Sequence, residues 1–277
     1  MNKILTTITA VASLVSAVFS ASAHAGEVLD RVLAAKTLTV AVGTDWGPAS
    51  HVNEKHELDG DEVEIAKGIA KYLGVDAKFV TPSWDIIAAG KWQGRWDMAM
   101  GSMIPTKARA ELFDFPAILG WGPIVAVVHK DSKATKPADL EGKVIGMVAG
   151  GAYEAYANHT FTPGWENAKP TTYQFKPGEV KITTSSNIAF DDLRLGDGVR
   201  LDAVLTDDAT ARAAIKGGYP LKILEPALLT TPGAIAILPG DKEFHDKIAA
   251  AVNAMRDNGT LTELSMKWYG VDYTFEK

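Results

Sequence analysis

Cysteine is absent from the 277 residues. That excludes thiolate metal sites, thiol nucleophiles, disulfide staples and a lipid-bearing amino-terminal cysteine. The six histidines are scattered without metal-ligand spacing, and there is no P-loop or G-x-G-x-x-G run. No metal or cofactor is expected. Positive charge is scarce: 28 Lys and Arg against 34 Asp and Glu give a formal charge of −6, with no basic run. Nucleic acid and anionic membrane are therefore poor partners. Long apolar stretches are confined to the amino terminus, where Lys3, the apolar segment 4–19 and Ala23-x-Ala25 read as an export leader cleaved after Ala25. The segment is too short and too rich in Ser, Thr and Ala for a membrane anchor. The mature chain is expected to begin at Gly26 as an exported protein, periplasmic in a host with two membranes.

What is present is a globular composition, with 47% apolar residues, enough core for one large or two medium domains. A helix over 28–35 precedes the alternating strand 38–42, and 62–73 carries apolar residues at helical spacing up to Gly74. Strand 77–80, helix 84–92 and strand 97–100 continue the rhythm, which restarts after strand 123–128. The second half has strands at 144–148, 202–205 and 221–224 and helices at 153–159, 187–195 and 208–216. Strand 234–238 and helices 244–257 and 261–268 close the chain. This order predicts an α/β fold of two doubly wound lobes, each a mainly parallel sheet covered by helices. The first lobe is discontinuous (26–120 plus 234–277) and the second is the middle (121–233). Glycine and proline at 120–123 and 231–234 suit two crossings that hinge. The segment 161–184, rich in Pro, Gly and aromatics, breaks the pattern and is either a β-excursion or a lid.

"MGSMIPTKAR" (100–109) ends a buried strand with small residues, a threonine and an arginine. Open α/β sheets bind ligands beyond the carboxyl ends of their strands. Arg109 there can grip a carboxylate through two parallel charge-assisted hydrogen bonds; the alternative is a surface pair with Glu111 or Asp114. Asp207 ends the strand in "DAVLTD", where it can bind an ammonium or cap the next helix, as Asp208 also could. Trp46 and Trp84 can stack on a ligand or fill core. Gly150 and Gly151 precede a helix, where their amides can hold an anion or simply turn the chain.

The stretches "LTVAVGTDWGP", "LDGDEVEIAKGIAKYLG", "PSWDIIAAGKWQGRWDMAMGSMIPTKARAELFDF", "GKVIGMVAGGAYEAYA", "RLDAVLTDDA" and "NGTLTELSMKWYG", in that order behind an export leader, resemble the polar amino-acid family of solute-binding proteins. These are the periplasmic receptors that feed ABC importers. The resemblance implies a flytrap of the type 2 fold with its ligand in the interlobe cleft. It implies Arg109 on the ligand α-carboxylate with the Thr106 hydroxyl beside it, the Ser102 backbone near the amino group, and Asp207 on the ammonium. Trp46 and Trp84 would flank the side chain. It further implies a membrane permease as partner and a monomeric receptor without enzymatic activity.

Departures bear on the ligand. Gly43 stands where lysine- and arginine-binding relatives place an aspartate, and Ile104 replaces a common Ser or Thr. Ala152 follows Gly150-Gly151 where donors are common; Asp61 replaces an aromatic, and Glu62 and Glu64 replace two aspartates. The expectation is a neutral amino acid or related zwitterion, with a methylated amine also open. The rival is an enzyme resembling cyclohexadienyl dehydratases, with Glu154 of "GGAYE" as general acid, although the family's Thr-Asn pair is missing. A docking sensor module is a third class.

Overall fold

The computed structural model describes residues 27–276; the expected leader lies outside them. Helix α1 (Glu27–Ala35) leads into β1 (Thr37–Ala41), and a short hairpin of β2 (His51–Val52) and β3 (Leu58–Asp59) precedes α2 (Asp61–Leu73). The expected helical stripe of α2, including Val63, Ile65, Ala66, Ile69 and Ala70, is buried. Then come β4 (Asp76–Val80), α3 (Trp84–Ala88), β5 (Met98–Met103) and the single turn α4 (Lys107–Ala110). Strand β6 (Ile118–His129) crosses into the second half, which holds β7 (Val144–Val148), α5 (Ala152–Ala157), β8 (Glu179–Thr183), α6 (Ser186–Leu193), β9 (Ala203–Asp207) and α7 (Asp208–Lys216). Strand β10 (Leu221–Ile237) returns, and α8 (Lys242–Asp257) and α9 (Thr260–Tyr269) follow.

The long strands make one eight-stranded sheet in the order β4-β1-β5-β10-β6-β9-β7-β8. Its flanks are parallel, as the alternating rhythm predicts. Its centre is antiparallel, because β6 and β10 run through the middle in opposite senses and pair with each other and with β5 and β9. The two segments expected as crossings lie side by side in this ribbon: Gly120 faces Gly233, Trp121 faces Pro232 and Gly122 faces Thr231. On one side of the ribbon the core is built from both chain ends, with Val40, Ile69 and Met98 packed among Ile237, Ile248 and Val252. On the other side it comes mainly from the middle of the chain, with Ile124, Ile145, Met147, Tyr156 and Leu205. Each fully buried side chain of this size contributes about 1.5–3 kcal/mol. Asp241 ties the ends together. One carboxylate oxygen caps α8 at Phe244 N (2.8 Å) and the other accepts from Val28 N (2.8 Å) and Leu29 N (3.0 Å).

Two expectations need correction and one open alternative is decided. Helix 84–92 stops at Ala88, because Gly90 turns left-handed and Trp92 folds back, its buried indole N–H donating to Ile87 O at 2.9 Å. The strands expected at 221–224 and 234–238 are one strand, β10, irregular around Pro226 but carried on by its pairing with β6. Segment 161–184 takes the first of its two alternatives, a β-excursion: its strand β8 extends the sheet beside β7. The rest of that segment packs Phe161 and Phe175 into the second core and forms a bridge to the start of α4. There Lys107 N donates to Thr162 O and Gly164 N to Pro105 O, both at 3.0 Å. The approach demands glycine, since a Cβ on Gly164 would lie 2.7 Å from the Thr106 carbonyl carbon.

Candidate functional site

A cavity of about 560 Å³ lies where the two halves of the sheet meet. Its walls come from the ends of β1, β5, β7 and β9, the starts of α2, α3, α5 and α7, the β6–β10 ribbon and α9. This is the carboxyl-end position expected for a ligand on an α/β sheet.

Arg109 is buried on α4, which β5 delivers to the cavity wall. Its guanidinium donates to Ile104 O at 3.0 Å and Gly150 O at 2.9 Å and lies 5.5 Å from the Trp84 ring centroid. These are two carbonyls and an aromatic face, not the surface carboxylates Glu111 and Asp114. Burial lowers its pKa to about 10, opposed by the nearby Tyr153 hydroxyl, so it remains a cation at neutral pH. Five N–H donors in a rigid fork leave capacity for a further acceptor.

The other expected residues divide. Trp46, Trp84, Ser102, Ile104, Gly151, Ala152 and Asp207 line the cavity with Arg109. The two indoles meet edge to face at 5.5 Å, and Trp84 Nε1 also donates to Gly150 O at 3.3 Å. Asp207 lines the cavity and also caps α7, Oδ1 accepting from Thr210 N at 2.7 Å. Burial raises its pKa. Thr106 is used otherwise. Its hydroxyl caps α4 by accepting from Arg109 N at 3.2 Å, and it is not among the lining residues. Gly150 corrects another expectation: its carbonyl faces Arg109 and Trp84, while its amide donates to Glu154 Oε2 at 3.3 Å. Gly151 N donates to Val148 O at 3.3 Å, an ordinary turn. At Gly150 the backbone therefore offers Arg109 an acceptor, its own amide being turned to Glu154.

Gly43 has a steric cause. The Trp46 indole packs on it so closely that a Cβ would lie 2.1 Å from a ring carbon. An aspartate at that position and Trp46 in this rotamer exclude each other.

The sequence reading noticed Asp61 and Glu62 only as departures, and did not place Tyr153, Tyr269 or Tyr273 in the site. Glu62 is fully buried and accepts from Gly101 N and from the Ser102 hydroxyl at 2.6 Å, which fixes Ser102 in a left-handed conformation at φ 43°. Burial raises its pKa against those hydrogen bonds. Asp61 is buried at the mouth of α2, with its Oδ2 accepting from the Tyr269 hydroxyl at 3.4 Å. Burial, reinforced by the Glu62 charge, lifts its pKa to about 7. Tyr273 donates to Asp208 at 3.0 Å, and burial and that carboxylate push its phenol up to about 12. Glu154 does not line the cavity.

Comparison with known proteins places this geometry. Residues 38–271 match the bacterial extracellular solute-binding proteins, family 3. The chain is 29% identical over 249 residues to the L-cystine-binding protein TcyJ of Escherichia coli K12, covering 89% of this chain and 87% of that one. It is 25% identical over 243 residues to ABC transporter arginine-binding protein 1 of the same organism, covering 85% and 92%. The P235GK mutant of ArgBP from T. maritima superposes with a TM-score of 0.76 at 25% identity, covering 88% of this chain and all of that one. The α/β fold with its mixed sheet is thus shared with that structure, and the chain belongs to the bacterial extracellular solute-binding proteins, family 3.

Proposed function

We propose that the chain is an exported receptor that binds an amino acid or related zwitterion between its lobes and delivers it to an ABC transporter permease. The observation that carries this reading is Arg109: a buried cation at the end of β5 whose hydrogen bonds go to neutral carbonyls, with the Asp207 carboxylate in the same cavity. A ligand carboxylate on Arg109 and its ammonium near Asp207 give two charge-assisted contacts from two lobes, so the zwitterion is held best when the cleft is shut. Trp46 and Trp84 would cover the ligand's apolar part. The lobes are taken as 26–120 plus 234–277 and 121–233, working as a monomer in the periplasm after cleavage at Ala25. We propose no turnover, since Glu154 is turned to the Gly150 amide rather than into the cavity.

Calorimetry and thermal shift on the mature protein, starting with L-cystine and L-arginine, test the reading. A ligand at 100 times its Kd raises unfolding free energy by about 2.7 kcal/mol. Absence of any shift or heat across the amino acids would overturn it, and conversion of prephenate or arogenate would restore the dehydratase alternative.

A further inference from the structure

Residues 161–165 line no part of the cavity, yet they reach the turn that carries Arg109. Residues 162–164 meet residues 105–107 in a single antiparallel bridge, with Thr106 opposite Pro163. The bridge uses two donors, Lys107 N and Gly164 N, and two acceptors, Thr162 O and Pro105 O. The amides that Pro105 and Pro163 lack are ones it does not need. A proline on each side also leaves little backbone freedom to lose on docking. At one end Phe161 is buried in the second core, and Ile104 from the opposing turn is buried there with it. At the other end Trp165 meets Trp121 of the crossing strand β6 edge to face, ring centres 6.3 Å apart at 82°.

The turn needs outside support. Helix α4 is four residues long, too short to hold itself in water. From within it has the Thr106 hydroxyl, which accepts from Arg109 N at 3.2 Å. The Arg109 guanidinium then bonds back onto the same turn at Ile104 O (3.0 Å) and across to Gly150 O (2.9 Å). The backbone that decides where the guanidinium lies is therefore the backbone on which 162–164 dock. We propose that 161–165 is a strap that positions Arg109 from behind the cavity wall. It touches no ligand and acts through the one-turn helix. Every contact in it is between protein groups, so it forms whether or not the cavity is filled. Its value for ligand capture rests on the amino-acid reading; the strap itself does not.

The test is Lys107→Pro. Lys107 is the exposed first residue of α4, where proline suits a helix, and Thr106 already has the extended backbone (φ −105°, ψ 162°) that a residue before proline prefers. Proline there deletes one strap donor, while its own local effect is to stiffen α4. Amide hydrogen exchange is followed without added ligand. In the wild type the Lys107 and Gly164 amides should exchange about tenfold or more slowly than unbonded loop amides. In Lys107→Pro the Gly164 and Arg109 amides should lose that protection, with Ile69 in α2 unchanged; Gly164→Ala, which keeps Lys107 N, should give the same split between Arg109 and Ile69. Loop-like exchange at Lys107 and Gly164 in the wild type, or an Arg109 amide as protected in both variants as in the wild type, overturns the strap. No ligand enters these readouts, so their failure leaves the receptor reading standing. Calorimetry of the wild type with L-cystine, L-arginine and the other amino acids tests that reading separately, and its failure leaves the exchange result untouched.

Discussion

Asp61→Asn should stabilise the unliganded protein, and the gain should grow with pH. The groups facing Asp61 are Glu62 and Glu64 on its own helix and the Tyr269 hydroxyl from α9; none supplies a compensating positive charge. In the folded protein its carboxyl titrates at about 7 against an ordinary 3.8. The folded state therefore keeps its proton where the unfolded chain has lost it, and stability that is fully present below pH 3.8 is lost as pH rises through 7. At 1.36 kcal/mol per pH unit, the interval amounts to at most about 4 kcal/mol. Asparagine keeps an acceptor for Tyr269 and never ionises, so it escapes this loss. For a chain of this size that corresponds to roughly 8–16 °C in Tm. The assay is urea unfolding followed by tryptophan fluorescence in buffers from pH 4 to 8, comparing midpoints at unchanged slope. A wild-type to variant difference that stays flat across this range, or a variant less stable at pH 8, would show that Asp61 is a satisfied, ionised carboxylate in the folded protein, and the reasoning about its burial would be refuted.

Arg109→Ala should weaken amino-acid binding by about 2–5 kcal/mol, the usual cost of removing one partner from a desolvated charge pair, and Arg109→Lys should recover only part of it because a point charge lacks the planar fork; unaltered calorimetric affinity in either variant would remove Arg109 from the site. Gly164→Ala should weaken binding without touching the cavity, because its Cβ would sit 2.7 Å from the Thr106 carbonyl carbon and 2.9 Å from Lys107 N, forcing the bridge apart. A faster ligand dissociation rate and a larger radius of gyration with ligand present are the expected readouts, and wild-type values for both would mean that the bridge does not hold the lobes.

Much of this was legible because period and position carry physical information. The helical spacing in α2 reports one buried face, and an arginine just past a buried strand points to an anion. What escaped the reading depends on contacts between residues distant in sequence. Helix α3 could not be ended correctly without Trp92 turning back onto Ile87. The single strand β10 is held together by register with β6, which local propensity cannot express. Edge strand β8 lies in a segment dominated by Pro and Gly and is defined by its pairing with β7. Gly150 was read for its amide, but Glu154, four residues on, takes that amide and leaves the carbonyl facing Arg109. Asp61 looked like a lost aromatic; only the packing of α9 shows it to be a buried carboxylate with a vacant acceptor atom.

The shared carboxylate of Asp241 has a consequence for the order in which the chain acquires structure. One core is drawn from residues 29–119 and 235–264, so its completion waits for the later part to be synthesised. β5 has no β10 beside it, and α1 has no carboxylate at Val28 and Leu29, until residues beyond Ala234 arrive. The second core is built largely from consecutive elements between β6 and β10 and closes shorter loops. The core begun first should thus be finished last, with the later-made middle acting as its nucleus. Pulsed hydrogen exchange during refolding would see β7 and β9 protected before β1 and β4, and the reverse order would mean that the amino-terminal elements hold together without their carboxyl-terminal partners.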